Sequence, residues 1–186
     1  MYKRQVLKEA QEKGYAEADP TADVEGQDAC RKIAILSSLA YGRFLDFEKV
    51  YTEGITKITP EDMAYAAKLG RTIKLLGTSR RLADGTCYAM VAPFMLGQNS
   101  PLYSVNDVFN AVFVHGEAMD DAMFMGRGAG KMPTASAVMG DVIDAMRNIM
   151  NESSGRIGCS CYRQIPVKDI KAVSYTHLRA HETLMN

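Results

Sequence analysis

Between residues 15 and 32 the chain reads YAEADPTADVEGQDACRK, and carboxylates crowd the approach to one lysine: Glu17, Asp19, Asp23, Glu25 and Asp28 lead to Lys32. Pro20 makes the first part of this run a loop, and Asp23 stands where it could cap a following helix. On that helix an acid four residues before a lysine shares its stripe, and an exposed pair of this kind contributes roughly 0.3–0.5 kcal/mol. The stripe of Asp28 and Lys32 continues at Ile35 and Leu39, so helical spacing predicts that the pair extends an apolar face. Gln27, Arg31, Ala34 and Ser38 form another stripe, polar or small, expected to face solvent. Two readings follow from the residues. The pair decorates a helix start at the surface, or carboxylates hold a lysine in a cleft, ready to act as an acid or to hydrogen-bond a carbonyl oxygen. The second requires good partners, because an ammonium is costly to bury without them.

A second group of residues lies at 125–137, MGRGAGKMPTASA. Gly126, Gly128 and Gly130 there permit positive φ or close backbone approach, and a helix start at Pro133 offers amides to an anion. The spacing is that of neither a dinucleotide-binding nor a P-loop fingerprint. A plain strand-to-helix turn explains it equally well. Other features carry less chemistry. His177 and His181 are four apart but lack a third ligand, His115 falls on a strand, and Cys159 and Cys161 form an isolated Cys-x-Cys. No metal is expected. Met139, Ile143, Met146 and Met150 recur at helical spacing, a stripe for a core or a subunit interface.

The elements that position these residues alternate between helix and strand. A helix is predicted over 24–41, stopped by Gly42, and a strand over 50–55. Thr59, Pro60, Glu61 and Asp62 open a helix, with a capping hydroxyl, proline in the first turn and acids at the positive end, running to about Leu69 before Gly70. Strands at 72–80 and 86–95 flank Ala83, Asp84 and Gly85, a hairpin turn, with Pro93 suited to the end of its strand. Two further strands are predicted at 110–115 and 118–125, and a last helix from about Pro133 to Asn151. The expected class is α+β, a mixed sheet covered by helices.

Charge narrows the function. Lys and Arg number 22 and so do Asp and Glu, which argues against nucleic acid or an anionic membrane as partner. No apolar run is long enough to span a bilayer, and the charged start is no signal peptide. Four cysteines in 186 residues make no disulfide framework, so a cytoplasmic protein with reduced thiols is expected. Residues 3–13 read as the tail of a helix with nothing before it to pack on, and no glycine-rich phosphate-binding turn opens the chain. Residues 173–186, VSYTHLRAHETLMN, have no clear period and resemble translated adapter sequence. One domain over 1–172 is therefore expected, cut from a longer protein, followed by a tail at 173–186 that packs on nothing.

GYAEADPTADVEGQDACRK resembles the substrate-site motif of homoserine dehydrogenases, a Glu-x-Asp-Pro loop joined to an Asp-x-x-Gly-x-Asp-x-x-x-Lys helix start. The run at 126–138 is similar to the Gly-x-Gly-Ala-Gly-x-x-Pro-Thr-Ala-Ser-Ala-Val stretch of the same family, in the same order. The resemblance covers 1 to about 172 and implies the family's substrate-binding and dimerisation domain without its Rossmann domain. By resemblance Glu17 binds the substrate's amino group and Asp23 joins it. Lys32 is the proton donor and Asp28 holds it. Gly128 lies against the nicotinamide of NAD or NADP, with Gly126 and Gly130 shaping the loop. The implied reaction interconverts aspartate 4-semialdehyde and homoserine, on the way to threonine and methionine, in a homodimer. A non-catalytic dimerisation or ligand-binding module is the alternative, since the chain is expected to be inactive without a nucleotide-binding domain. A dihydrodipicolinate reductase fits the run from Glu17 to Lys32 less well.

Overall fold

A computed structural model describes residues 19–153 and 163–170. They divide into two compact units, one built on Thr21–Met63, Ile73–Phe94 and the segment from 163, the other on Ala64–Thr72 and residues 95–153.

The first unit opens with a single turn of helix, α1 (Thr21–Val24), followed by α2 (Gln27–Tyr41). One helix over 24–41 was expected. It is broken at Gly26, whose φ of 76° is left-handed and ends the first turn before the second helix starts. Asp23 therefore sits inside α1 and does not cap α2, whose N-cap is Gly26 without a side-chain hydrogen bond. At the far end Gly42 closes α2 in the left-handed region, as expected.

Gln27 and Arg31 face solvent as predicted, but the rest of the α2 face assignment is overturned. Cys30, Ala34 and Ser37 are buried, while Ile35, Leu36 and Leu39 are exposed. Small side chains face inward because the helix lies close to a sheet: a Cβ at Gly77 would stand 3.0 Å from Ile33 Cβ. Ser38 also turns inward, donating to Ala34 O and accepting from Leu45 N at 2.9 Å, which ties the chain after the helix back to it. Cys30, Ala34, Leu45, Val50, Cys87, Ala89, Val91 and Ile165 form the core of this unit. Tyr41 reaches Ser79 Oγ at 3.0 Å, and burial pushes its phenol pKa up.

The sheet of this unit has the order β1 (Tyr51–Thr52), β3 (Cys87–Gly97), β2 (Arg71–Arg81). β1 runs parallel to β3, and the short turn between neighbouring β2 and β3 makes that pair antiparallel, so the sheet is mixed as predicted. Pro93 was expected at a strand end but lies inside β3. The reason is local. Val91 O accepts from Glu53 N on the β1 side, and residue 93 points to the same edge, where β1 has already ended. No ladder bond is lost there. Upstream of β2, α3 (Pro60–Lys68) has the predicted cap: Thr59 Oγ1 accepts from Asp62 N, and Asp62 Oδ2 accepts from Thr59 N at 2.8 Å.

Residues 163–168 complete this unit. Ile165 is buried, Phe44 N and Ile165 N exchange bonds with Arg163 O and Phe44 O, and Lys168 N donates to Cys87 O. Lys168 Nζ then meets Asp84 Oδ2 at 2.5 Å in the β2–β3 turn, and Thr86 donates to the other carboxylate oxygen. The Lys168 ammonium, then Thr86, hold the Asp84 carboxyl well below the usual carboxylate range. A carboxyl with a depressed folded pKa stabilises the fold above its unfolded pKa, and that contribution fades as pH falls through the folded value. Melting temperatures from pH 5 to pH 2 should therefore fall less steeply for Asp84→Asn than for wild type. Parallel curves would show that the pair does not couple folding to acid.

In the second unit β4 (Phe109–Gly116) and β5 (Asp120–Arg127) form an antiparallel hairpin with Asn110 opposite Gly126. α4 (Lys131–Met150) follows. His115 Nδ1 meets Asp121 Oδ1 across the hairpin at 2.8 Å, both side chains exposed. Among the described residues no helix is long and apolar enough to cross a membrane. Glu17, Cys159, Cys161, His177, His181 and the 173–186 tail lie outside the described residues.

Candidate functional site

The α1–α2 junction carries three of the candidate residues. Lys32 Nζ lies 2.6 Å from Asp28 Oδ2, with side chains 68% and 45% exposed, so the pair is an open charged group and no buried lysine. Asp28 falls in the first turn of α2, where a negative charge meets the helix's positive end. Asp23 is exposed one helix earlier, and because it caps nothing its carboxylate is available to a ligand. The junction between them is fixed from the other side by residues 53–55. Ile55 N donates to Val24 O at 2.8 Å, and a Cβ at Gly54 would stand 2.2 Å from Val24 O and 2.5 Å from Glu25 Cα. Only a hydrogen fits there. Gly26 is held in the same way, with Val91 Cγ1 3.1 Å from where its Cβ would be. The spacing of Asp23 from Asp28 and Lys32 is thus set by β1, β3 and a glycine that the sequence did not single out. No pattern around Gly54 announces it, because the clash is with residues about thirty positions away.

The glycine run belongs to the second unit and divides by role. Gly130 has φ 119° and is the N-cap of α4, the positive-φ position expected of a strand-to-helix turn. Gly126 was expected to shape the loop but lies within β5. Nothing stands within 4 Å of where its Cβ would be, which leaves bare backbone on which a flat ring could lie. Gly128 donates its N–H to Val108 O at 3.1 Å, and the place of its Cβ is taken by the Asn110 amide, 1.5 Å from that point. These glycines fit close approach by a planar group better than they fit phosphate binding, since the Gly128 amide is already bonded.

Comparison with known proteins shows which family shares this sequence and fold. The pattern of the homoserine dehydrogenase family matches residues 2–143. A homoserine dehydrogenase from Bacillus subtilis is 49% identical over 146 residues, 78% of this chain and 33% of the relative. One from Pseudomonas aeruginosa is 40% identical over 185 residues, 95% of this chain and 42% of the relative. The crystal structure of a homoserine dehydrogenase from Thiobacillus denitrificans superposes with a TM-score of 0.78 at 41% identity, over 90% of this chain and 40% of that one. A hyperthermophilic archaeal homoserine dehydrogenase in complex with NADPH gives 0.59 at 26% identity, over 78% of this chain and 40% of that one. The chain spans 33–42% of the length of these proteins. With three quarters of its residues inside the family pattern and its mixed sheet and helices shared with solved members, the chain belongs to the homoserine dehydrogenase family.

Proposed function

We propose that this chain carries the substrate-binding and catalytic part of an NAD(P)-dependent homoserine dehydrogenase, interconverting L-aspartate 4-semialdehyde and L-homoserine in threonine and methionine biosynthesis. The observation that carries the reading is the Asp28–Lys32 pair, at 2.6 Å, inside the region that matches the family. When bound, the nicotinamide cofactor supplies the hydride or takes it up. In the reducing direction the aldehyde oxygen gains negative charge, which the Lys32 ammonium stabilises before passing a proton from Nζ to that oxygen. In the oxidising direction Nζ takes the proton back. Asp28 holds Nζ, and Asp23 with Glu17 accepts hydrogen bonds from the substrate's α-ammonium, fixing the reacting carbon. Gly126, Gly128 and Gly130 form the backbone surface that meets the nicotinamide. The NADPH complex of the archaeal relative supports use of a nicotinamide cofactor, and the open face at Gly126 leaves room for a ring there.

Joined to the part of the Bacillus subtilis relative that it does not cover, the chain should reduce aspartate 4-semialdehyde with NADPH or NADH. No turnover with either cofactor would overturn the reading. The 186-residue polypeptide by itself is proposed to be an inactive, cytoplasmic homodimer. Its glycine run has no phosphate-loop spacing, and Met139, Ile143, Met146 and Met150 are all exposed, an apolar stripe suited to a two-fold contact. Calorimetry with NADPH and light scattering test both parts: micromolar affinity would refute the first and a folded monomer the second.

A further inference from the structure

We propose that Asn110 is a further cofactor-binding residue, its side-chain amide pairing with the carboxamide of the nicotinamide ring. The inference rests on the dehydrogenase reading above and deepens it at the same site. Asn110 and Gly126 are directly opposed in the β4–β5 register, so both present the same face of the hairpin. Two residues further along β5 that face continues toward Gly128, and there the Asn110 side chain leans across: a Cβ at Gly128 would lie 1.5 Å from Asn110 Nδ2 and 2.6 Å from its Cγ. Val108, two residues earlier, accepts the Gly128 N–H, so the glycine is held by the backbone just before β4 and by the Asn110 side chain together.

The Asn110 amide is exposed and makes no hydrogen bond to another described residue. Beside it the backbone of Gly126 is uncovered. The result is a bare strand surface for a flat aromatic ring, edged by one donor and one acceptor in a single plane. A ring carrying a carboxamide matches this arrangement: Nδ2 donates to the carboxamide oxygen while Oδ1 accepts from its NH2. A ring without a hydrogen-bonding substituent would leave the Asn110 amide unpaired on desolvation.

The test uses equilibrium binding to the chain joined to the remaining part of the Bacillus subtilis relative. NADPH, or NADH if that is the cofactor bound, is compared with its 3-acetylpyridine analogue, which keeps the carbonyl and lacks the NH2. Wild type should bind the natural cofactor about 5-fold more tightly, the worth of one neutral hydrogen bond. Asn110→Ala should bind both alike, with an unchanged melting temperature. The Asn110 side-chain NH2 resonances of the unmutated protein should shift on adding the cofactor, a readout that survives if the variant folds badly. Retained discrimination in Asn110→Ala, equal loss for both ligands, or unmoved resonances would each overturn the proposal while leaving homoserine oxidation by wild type intact. A wild type that neither binds cofactor nor oxidises homoserine overturns the dehydrogenase reading, and the role of Asn110 with it.

Discussion

Lys32→Met, in the chain joined to the rest of an enzyme, is expected to lower kcat at least ~10²-fold and to leave the melting temperature within about a degree or two. The catalytic part follows from the range for a positioned general acid, ~10²–10⁴-fold. The variant keeps an unbranched chain one atom shorter and removes the ionisable ammonium that gives the proton. The stability part follows from exposure. Lys32 and Asp28 are 68% and 45% exposed, and open pairs of this kind contribute about 0–1 kcal/mol. Lys32→Arg should not restore the rate, because a guanidinium keeps its charge but does not release its proton near neutral pH. Glu17→Gln and Asp23→Asn should instead raise KM for the amino acid substrate with a smaller effect on kcat. A Lys32→Met enzyme that keeps most of its kcat would end the proton-donor assignment, and an unchanged KM in Glu17→Gln would end its binding role.

Gly54→Ala is expected to have the largest effect on stability, about 2–4 kcal/mol, since the added carbon overlaps backbone atoms and not the end of a flexible side chain. Its Cβ would lie 2.2 Å from Val24 O, 2.5 Å from Glu25 Cα and 2.9 Å from Glu25 C, so either residues 53–55 or the α1–α2 junction must move. For a chain of this size that corresponds to a fall in melting temperature of roughly 5–15 °C. Gly140→Ala is the control. It lies within α4 with nothing within 4 Å of its Cβ position, and Ala there should be neutral or stabilising by up to about 1 kcal/mol. Where Gly54→Ala still folds, the displaced junction carries Asp23 away from its spacing to Lys32, and KM for homoserine should rise. Equal melting temperatures for Gly54→Ala and Gly140→Ala would show that the junction yields without cost.

Features readable from sequence were those decided within a few residues. The Thr59–Asp62 cap, the glycine stops at Gly42 and Gly70, the Ala83–Gly85 turn and the glycine at the start of α4 each depend on local torsions and neighbouring donors, and each is found where the residues indicated. The Asp28–Lys32 pair was legible for the same reason, since helical geometry alone brings positions four apart together. Tertiary contacts decided the rest. Which stripe of α2 faces inward depended on how near the sheet comes, and at Gly77 it comes close enough to favour Ala34 and Ser37 over Ile35 and Leu39. Pro93 could enter a strand because β1 ends beside it. Gly54 against Glu25, Asn110 against Gly128 and Lys168 against Asp84 join positions 18 to 84 residues apart. Local pattern carries no record of such contacts, because steric exclusion and hydrogen bonding act on distance in space and become defined only when the chain has folded.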